Sequence, residues 1–390
     1  MGQKSKWEYF KAIYDRYQKA TLELRTVILD EFCQICHYNR KYAIRKLNGP
    51  RPEKPSGPYK RKRSFRYGLI VISILEAVWE DADYPCGLRL KAIVLDWLPW
   101  IRKRFHLSPA LEKQLLSISA RTMDRRLKPK KSRLKKRIYG RTKPGSLLKH
   151  HIPIKTDNWD VKIPGYSEID TVSHSGNSAD GTFAYTVNET DILTTWVESY
   201  AVLGKGETGI VHALDQMGQA LPFKRRGLDS DNGSEFINWH LIKYCQKKKI
   251  QFTRGRPYKK NDNAHIEQKN WTNVRKQIGY ERYDTNPAVD ALNDLYRNEM
   301  HLFTNLFLPN VKLKEKKRVG SRCIRKYDEP QTPFERVKNS KNGDTKKIAL
   351  YQQLRDTLDP FELNRIVHKK LAHIYTLANR RQSPKPEKPS

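Results

Sequence analysis

Long apolar runs are missing from this chain of 390 residues. The longest, Gly68-Leu69-Ile70-Val71-Ile72-Ser73-Ile74-Leu75, stops at Glu76, well short of the ~20 residues that a bilayer-spanning helix needs. The opening MGQKSKWEYF is polar and does not read as a secretory signal. Cysteine is scarce too: five residues, an odd number at irregular spacing, exclude a disulfide framework and point to a reducing compartment, so a cytoplasmic protein is expected. The third shortage is of acid. Only 42 Asp and Glu stand against 76 Lys and Arg, a formal charge of +34 that exceeds what solubility requires and suits a polyanionic partner, with nucleic acid ahead of a membrane surface. With 37% hydrophobic residues the chain can still build real cores, and its length predicts two or three domains.

The few acids that matter are found by their surroundings. Tyr166-Ser167-Glu168-Ile169-Asp170-Thr171-Val172 alternates with the strand period of two, placing Glu168, Asp170 and Val172 on one face. A carboxylate in mid-strand is costly unless something offsets its charge. Asp231 ends a second short strand, because Asn232-Gly233 forces a turn. From Ser234 the residues Phe236, Ile237, Leu241, Ile242 and Cys245 recur at helical spacing, Ile250 to Thr253 form another strand, and Asn261 or Asp262 caps a helix reaching about Ile278 that carries Glu267. Between Asp231 and Glu267 lie 35 residues. Three convergent carboxylates can hold hard divalent cations through oxygen. Asp229 and Glu168 share faces with Asp231 and Asp170 and are expected to support them, while Asp191 reads as a turn residue.

This pattern of Asp170, Asp231 and Glu267, with Asp-Asn-Gly at the second acid and Asn263-Ala264 shortly before the third, resembles the catalytic core of retroviral integrases and of the bacterial insertion-sequence transposases related to them. The resemblance covers roughly residues 159–307. It implies a ribonuclease-H-like α/β core with a mixed five-stranded sheet, two Mg²⁺ or Mn²⁺ ions held by those three acids, and strand cleavage by water followed by transfer of the freed 3′-hydroxyl to target DNA. No Ser or Tyr nucleophile is required. Partners implied are double-stranded DNA, both element ends and target, and further copies of the chain on that DNA, in a bacterial cytoplasm at the nucleoid. A nuclease of the same fold that does not join, or an inactive DNA-binding regulator, are the alternative readings.

Around the core the expected organisation is multidomain. Residues 1–48 read as a helix-turn-helix domain with stripes Trp7, Phe10, Tyr14, Tyr17 and Leu22, Leu24, Val27, Ile28, Phe32, Ile35, and a recognition helix on which Ala43, Ile44 and Leu47 face in while Arg40, Lys41, Arg45 and Lys46 face DNA. Cys33, Cys36 and His37 invite a zinc reading, but no second pair follows at finger spacing and His150-His151 is remote, so buried helix cysteines are the reading taken. A basic linker, 49–66, leads to a second helical DNA-binding domain, 67–128, with helices 67–81, 88–105 and 109–117 and a recognition helix carrying Arg121, Arg125 and Arg126. A cationic connector, 129–158, is interrupted by Pro129 and Pro144. In the core, strands 182–187 and 194–201 are expected to join around Glu189-Thr190-Asp191, and Lys259, Lys260 and Lys269 are candidate phosphate contacts. Residues 308–390 read as an irregular basic extension, a final helix begun by Asp359-Pro360 with the stripe Leu363, Ile366, Val367, Leu371, Ile374, and a disordered tail.

Overall fold

The computed structural model describes residues 2–51, 67–132, 161–231, 236, 238–255, 264–319 and 322–379, with the side chains of Gln3, Glu207, Ala264, His265, Glu267, Lys316, Val319 and Arg322 set aside. Most of the linker and the connector, His150-His151, Asn232-Gly233, Lys259, Lys260, the cap at Asn261 or Asp262 and the tail lie outside the described residues. The chain divides into two compact units, residues 1–66 and 67–390.

The first unit holds α1 (Gln3–Lys19), α2 (Leu22–Cys36) and α3 (Arg40–Leu47) around Phe10, Tyr17, Ile28, Phe32, Cys36, Ala43 and Leu47. The buried stripe of α2 differs from the expected one. Ile28, Leu29, Phe32 and Cys36 face in, while Leu22, Leu24, Val27 and Ile35 are exposed by 86, 43, 58 and 39%. The core face is thus turned around the helix axis, and Cys36 closes it. Ile44 of α3 is likewise exposed, at 37%.

The second unit opens with α4 (Leu69–Asp81), α5 (Gly87–Asp96), α6 (Leu98–Phe105), α7 (Pro109–Ser117) and α8 (Ala120–Lys131). Residues 88–105 form two helices rather than one. Pro99 has no N–H to return to the preceding turn, and the buried Trp97 at the break donates its indole N–H to the Phe307 carbonyl at 3.2 Å. Ser108 and Ser119 cap α7 and α8, and α8 runs on through Pro129, where the connector was expected. Gly87 allows α5 to meet α8 closely, for a Cβ there would stand 2.1 Å from the Ala120 carbonyl oxygen. These helices share one core with distant parts of the chain: Trp79, Leu90, Trp97 and Ile101 cluster with Phe303, Phe307, Phe334 and Phe361.

A mixed sheet is made of β1 (Tyr166–Ser173), β2 (Ala184–Asp191), β3 (Val197–Leu203), β4 (Gly227–Ser230) and β5 (Gln251–Arg254) in the order β3-β2-β1-β4-β5. The first three strands are antiparallel, and β4 and β5 run parallel to β1. Because β2 extends to Asp191, Glu189 and Thr190 are buried strand residues and the chain reverses at 192–196, where Thr195 adopts φ 62°. One sheet face packs Ile169, Val187 and Leu228 on α9 (Glu207–Ala220) and α10 (Trp239–Lys248). The other packs Val172, Ala184 and Ala201 on Val274, Ile278 and the helix over Asn286–Leu295. That layer begins with α11 (Ala264–Lys269), widens to π-helical winding over Asn270–Arg275, and continues through α12 (Lys276–Ile278) to α13 (Asn286–Leu295).

The basic extension is more ordered than expected. Strands β6 (Leu313–Val319) and β7 (Arg322–Tyr327) form an antiparallel hairpin. Thr332 and Glu335 build a capping box for α14 (Pro333–Lys338), and α15 (Thr345–Thr357) leads to α16 (Pro360–Thr376). Val367, Leu371 and Ile374 of α16 pack on this chain's own α13, with Ile366 half-buried.

Candidate active site

Strand alternation decides which acids meet. Ile169 and Leu228 point to the α9 and α10 layer, so Glu168 and Asp170 of β1 and Asp229 of β4 belong to the opposite face. The parallel register pairs Glu168 with Asp229 and Ile169 with Ser230; one step further, Asp231 comes level with Asp170 on the neighbouring strand, ~4.8 Å away in backbone spacing. Asp170 and Asp231 are half-buried, whereas Glu168 and Asp229 are sealed in at 2 and 0% exposure. Asp231 comes just after the carboxyl end of β4, where crevices of open α/β sheets form.

Hydrogen bonds separate the roles. Asp229 Oδ1 accepts from the Thr253 hydroxyl at 2.6 Å, a buried bond between β4 and β5. Glu168 Oε2 accepts from the Ile266 N–H at 3.0 Å and so satisfies a donor in the first turn of α11. Asp170 Oδ1 accepts from the Thr171 N–H at 2.7 Å and Oδ2 from the Asn270 amide at 2.6 Å. Asn270 in turn accepts from Asn188 at 2.9 Å, and Asn188 from the Ser199 hydroxyl at 3.0 Å. Since Asn188 is the register partner of Asp170, and Ser199 of Asn188, this chain crosses three strands with every donor directed toward the Asp170 carboxylate.

The helix bearing Glu267 is therefore fixed to β1 on both sides of that position. Residue 266 is held by Glu168, and Asn270, one turn beyond 267 on the same side of the helix, reaches Asp170. Sequence reasoning missed Asn270, Asn188 and Ser199. The available signal was the interval of three from Glu267 to Asn270 and an asparagine inside a strand, where that residue is disfavoured.

Asp170 and Asp231 are hard oxygen donors on adjacent strands, a donor set that fits Mg²⁺ or Mn²⁺ better than a soft metal. Among the described residues no three His, Cys, Asp or Glu side chains form a group that could hold a metal ion, the Glu267 side chain being outside them. Cys36 is buried in the first unit's core, and the exposed His37 adopts a left-handed conformation that ends α2. Asp191 closes the end of β2 by accepting from Gly165 N–H and from the N–H and hydroxyl of Thr194, each at 2.7 Å, and burial lifts its carboxyl to about 6.

The candidate DNA contacts fall into distinct settings. Lys41, Arg45, Arg121 and Arg125 are exposed, with Arg45 lying over the Tyr42 ring. Arg40 pairs with Asp30 and Arg126 donates to the Tyr67 carbonyl at 3.1 Å. Lys46, expected to face outward, is half-buried over the rings of Phe10, Tyr38 and Tyr42. Lys269 is half-buried, its ammonium lowered to about 7 by burial and by the facing cations Arg89 and Arg336.

No family model matches the chain. It is 38% identical over 334 residues to "Uncharacterized protein y4rM" of Sinorhizobium fredii (strain NBRC 101917 / NGR234), a match spanning 84% of this chain and 94% of that protein. Two solved structures are similar at 15% identity: the HTLV-2 integrase catalytic core domain in complex with magnesium, with a TM-score of 0.28 over 38% of this chain and 91% of that one, and the catalytic core domain of BIV integrase, with a TM-score of 0.27 over 44% and 91%. Among the described residues no helix is long and apolar enough to cross a membrane.

Proposed function

We propose a function for this chain, which belongs to the same family as protein y4rM of Sinorhizobium fredii: it is a DNA transposase that binds the terminal repeats of a mobile element, cuts the strand at the element's end and joins that end to target DNA. The observation that carries this reading is the setting of the acids. Asp170 and Asp231 lie level on neighbouring parallel strands, beside a helix that bears Glu267 and is tied to β1 at residues 266 and 270. Asp170, Asp231 and Glu267 are the side chains that would hold Mg²⁺ or Mn²⁺. Bound there, the metal would polarise a phosphodiester and offset the charge that develops on its oxygens.

The chain's own part is positioning. Asn270, backed by Asn188 and Ser199, fixes the orientation of the Asp170 carboxylate, and the buried Glu168 fixes the start of the helix. The exposed Lys41, Arg45, Arg121 and Arg125 supply phosphate contacts that set the register of the element's end. Handling two ends and a target implies more than one copy of the chain on the DNA.

The test is incubation of the purified protein with Mn²⁺ and a duplex carrying a labelled end of its own element, scoring cleavage and joining separately. Both products are expected. Cutting without joining would make it a nuclease, and specific binding without either product would make it a regulator.

A further inference from the structure

Within the second unit a cavity of about 670 Å³ opens along the helix beyond position 267, a size typical of ligand pockets. Lys269 and Trp271 line one side, Tyr84 and Arg89 come from the segment leading into α5, and Arg325 and Tyr327 come from the hairpin. The charge there is unbalanced. The one carboxylate in the lining, Asp83, is paired with Lys276 at 2.6 Å, and Lys312 donates to the carbonyls of Ile192 and Leu193. Arg89 gives its Nε–H to the Pro309 carbonyl at 2.6 Å, so its partner is a neutral one. The Lys269 ammonium has no hydrogen-bond partner among the described residues and faces Arg89 and Arg336, the latter paired with Asp328 at 2.6 Å. A half-buried ammonium opposed by other cations is relieved by an anion.

Aromatic faces accompany that charge. Trp271 is 40% exposed, Tyr84 37% and Tyr327 49%. Cations that track phosphates, interleaved with open ring faces, are the means by which proteins hold unpaired nucleic acid, because a base offers its flat face only when it leaves the stack. A recessed cavity of this size admits a splayed nucleotide and not a stacked base pair.

We propose that this cavity holds an unpaired stretch of DNA strand, with a phosphate against Lys269 and Arg89 and a base stacked on Trp271. The inference rests on the reading of the chain as an enzyme acting on DNA and extends it: the strand next to the cleavage point is opened and its displaced nucleotide is kept one helical turn from position 267.

The test uses the full chain in EDTA, so that no cutting intervenes, and labelled oligonucleotides read by fluorescence anisotropy. One probe is a blunt duplex and the other is the same duplex with a short unpaired extension. The extension should tighten binding about tenfold, as expected for one stacked base, and Trp271→Ala should remove that gain while Trp271→Phe restores most of it. Lys269→Gln should reduce the slope of log K against log salt for the extended probe by about 0.7, the release expected for one single-strand phosphate, and Lys269→Arg should retain it. Equal binding of the two probes by the wild type, or an undiminished gain in Trp271→Ala and an unchanged salt slope in Lys269→Gln, overturns the proposal. A wild type that cuts in Mn²⁺ yet gains nothing from the extension overturns the cavity assignment alone. A gain from the extension without any cutting in Mn²⁺ supports the cavity and overturns the transposase reading.

Discussion

Replacing Lys269 by methionine should make the protein more stable at neutral pH and remove a pH dependence. Burial, then the fields of Arg89 and Arg336, lower the ammonium from 10.5 to about 7 in the folded chain. Below pH 7 both folded and unfolded chains hold the proton, so the penalty is present in full. Between 7 and 10.5 the unfolded chain binds a proton that the folded chain has released, so stability rises with pH, and above 10.5 the penalty is gone. Fully converted, such a displacement would exceed 4 kcal/mol at about 1.4 kcal/mol per tenfold. Lys269 keeps some exposure to solvent, and with screening discounted the penalty is on the order of 2–3 kcal/mol. Methionine has a similar length and no charge to desolvate. Urea unfolding at pH 7 and pH 10 reads the difference: Lys269→Met should be more stable than wild type by roughly 2–3 kcal/mol at pH 7, with the gap shrinking to under about 1 kcal/mol at pH 10. Parallel curves for the two proteins, or a variant less stable at pH 7, would refute the charge imbalance inferred for this cavity.

Asp231→Asn should abolish cleavage in Mn²⁺, while Asp229→Asn should leave it measurable, because an amide oxygen can still accept from the Thr253 hydroxyl; the reverse order would show that Asp229 is the working acid. Asn270→Ala leaves the Asp170 Oδ2 and the Asn188 amide without their partners, so a loss of about 2 kcal/mol in urea unfolding and a fall in cleavage rate are expected; unchanged cleavage would remove Asn270 from the site. A fragment of residues 1–66 should show cooperative helical melting by circular dichroism. Residues 67–132 alone should not, since Trp97 stacks edge-on against Phe361 with centroids 5.2 Å apart and also packs on Phe303; cooperative melting of that fragment would show that it has a core of its own.

What the sequence disclosed depended on the range of the interaction. The alternation through Glu168, Asp170 and Val172 located β1, and turn and helix periodicity around Asp231 located β4, α10 and β5 to within a few residues, since strand and helix periods are written in neighbouring positions. The α2 stripe failed for the complementary reason. Leu24, Val27 and Ile35 have the right spacing for a buried face, but which of two apolar faces is covered is decided by α1 and α3, and Phe32 with Cys36 won. Residues 88–105 kept an unbroken helical pattern around Pro99, and only the Phe307 carbonyl, 210 positions away, accounts for where Trp97 turns inward. The same limit applies at the candidate site. Asn270 carries no local mark of function, being one polar residue in a basic helix, and its partner Asp170 lies 100 positions earlier. It becomes legible only once the registers of β1 with β2 and of β2 with β3 are known, because those registers place Asn188 and Ser199 behind it and make the asparagine the last donor of a chain ending on a carboxylate. An acid whose orientation is set by a relay across three strands answers to substitutions at Ser199 as well as at Asn270, and that dependence is a property of the sheet, not of any motif.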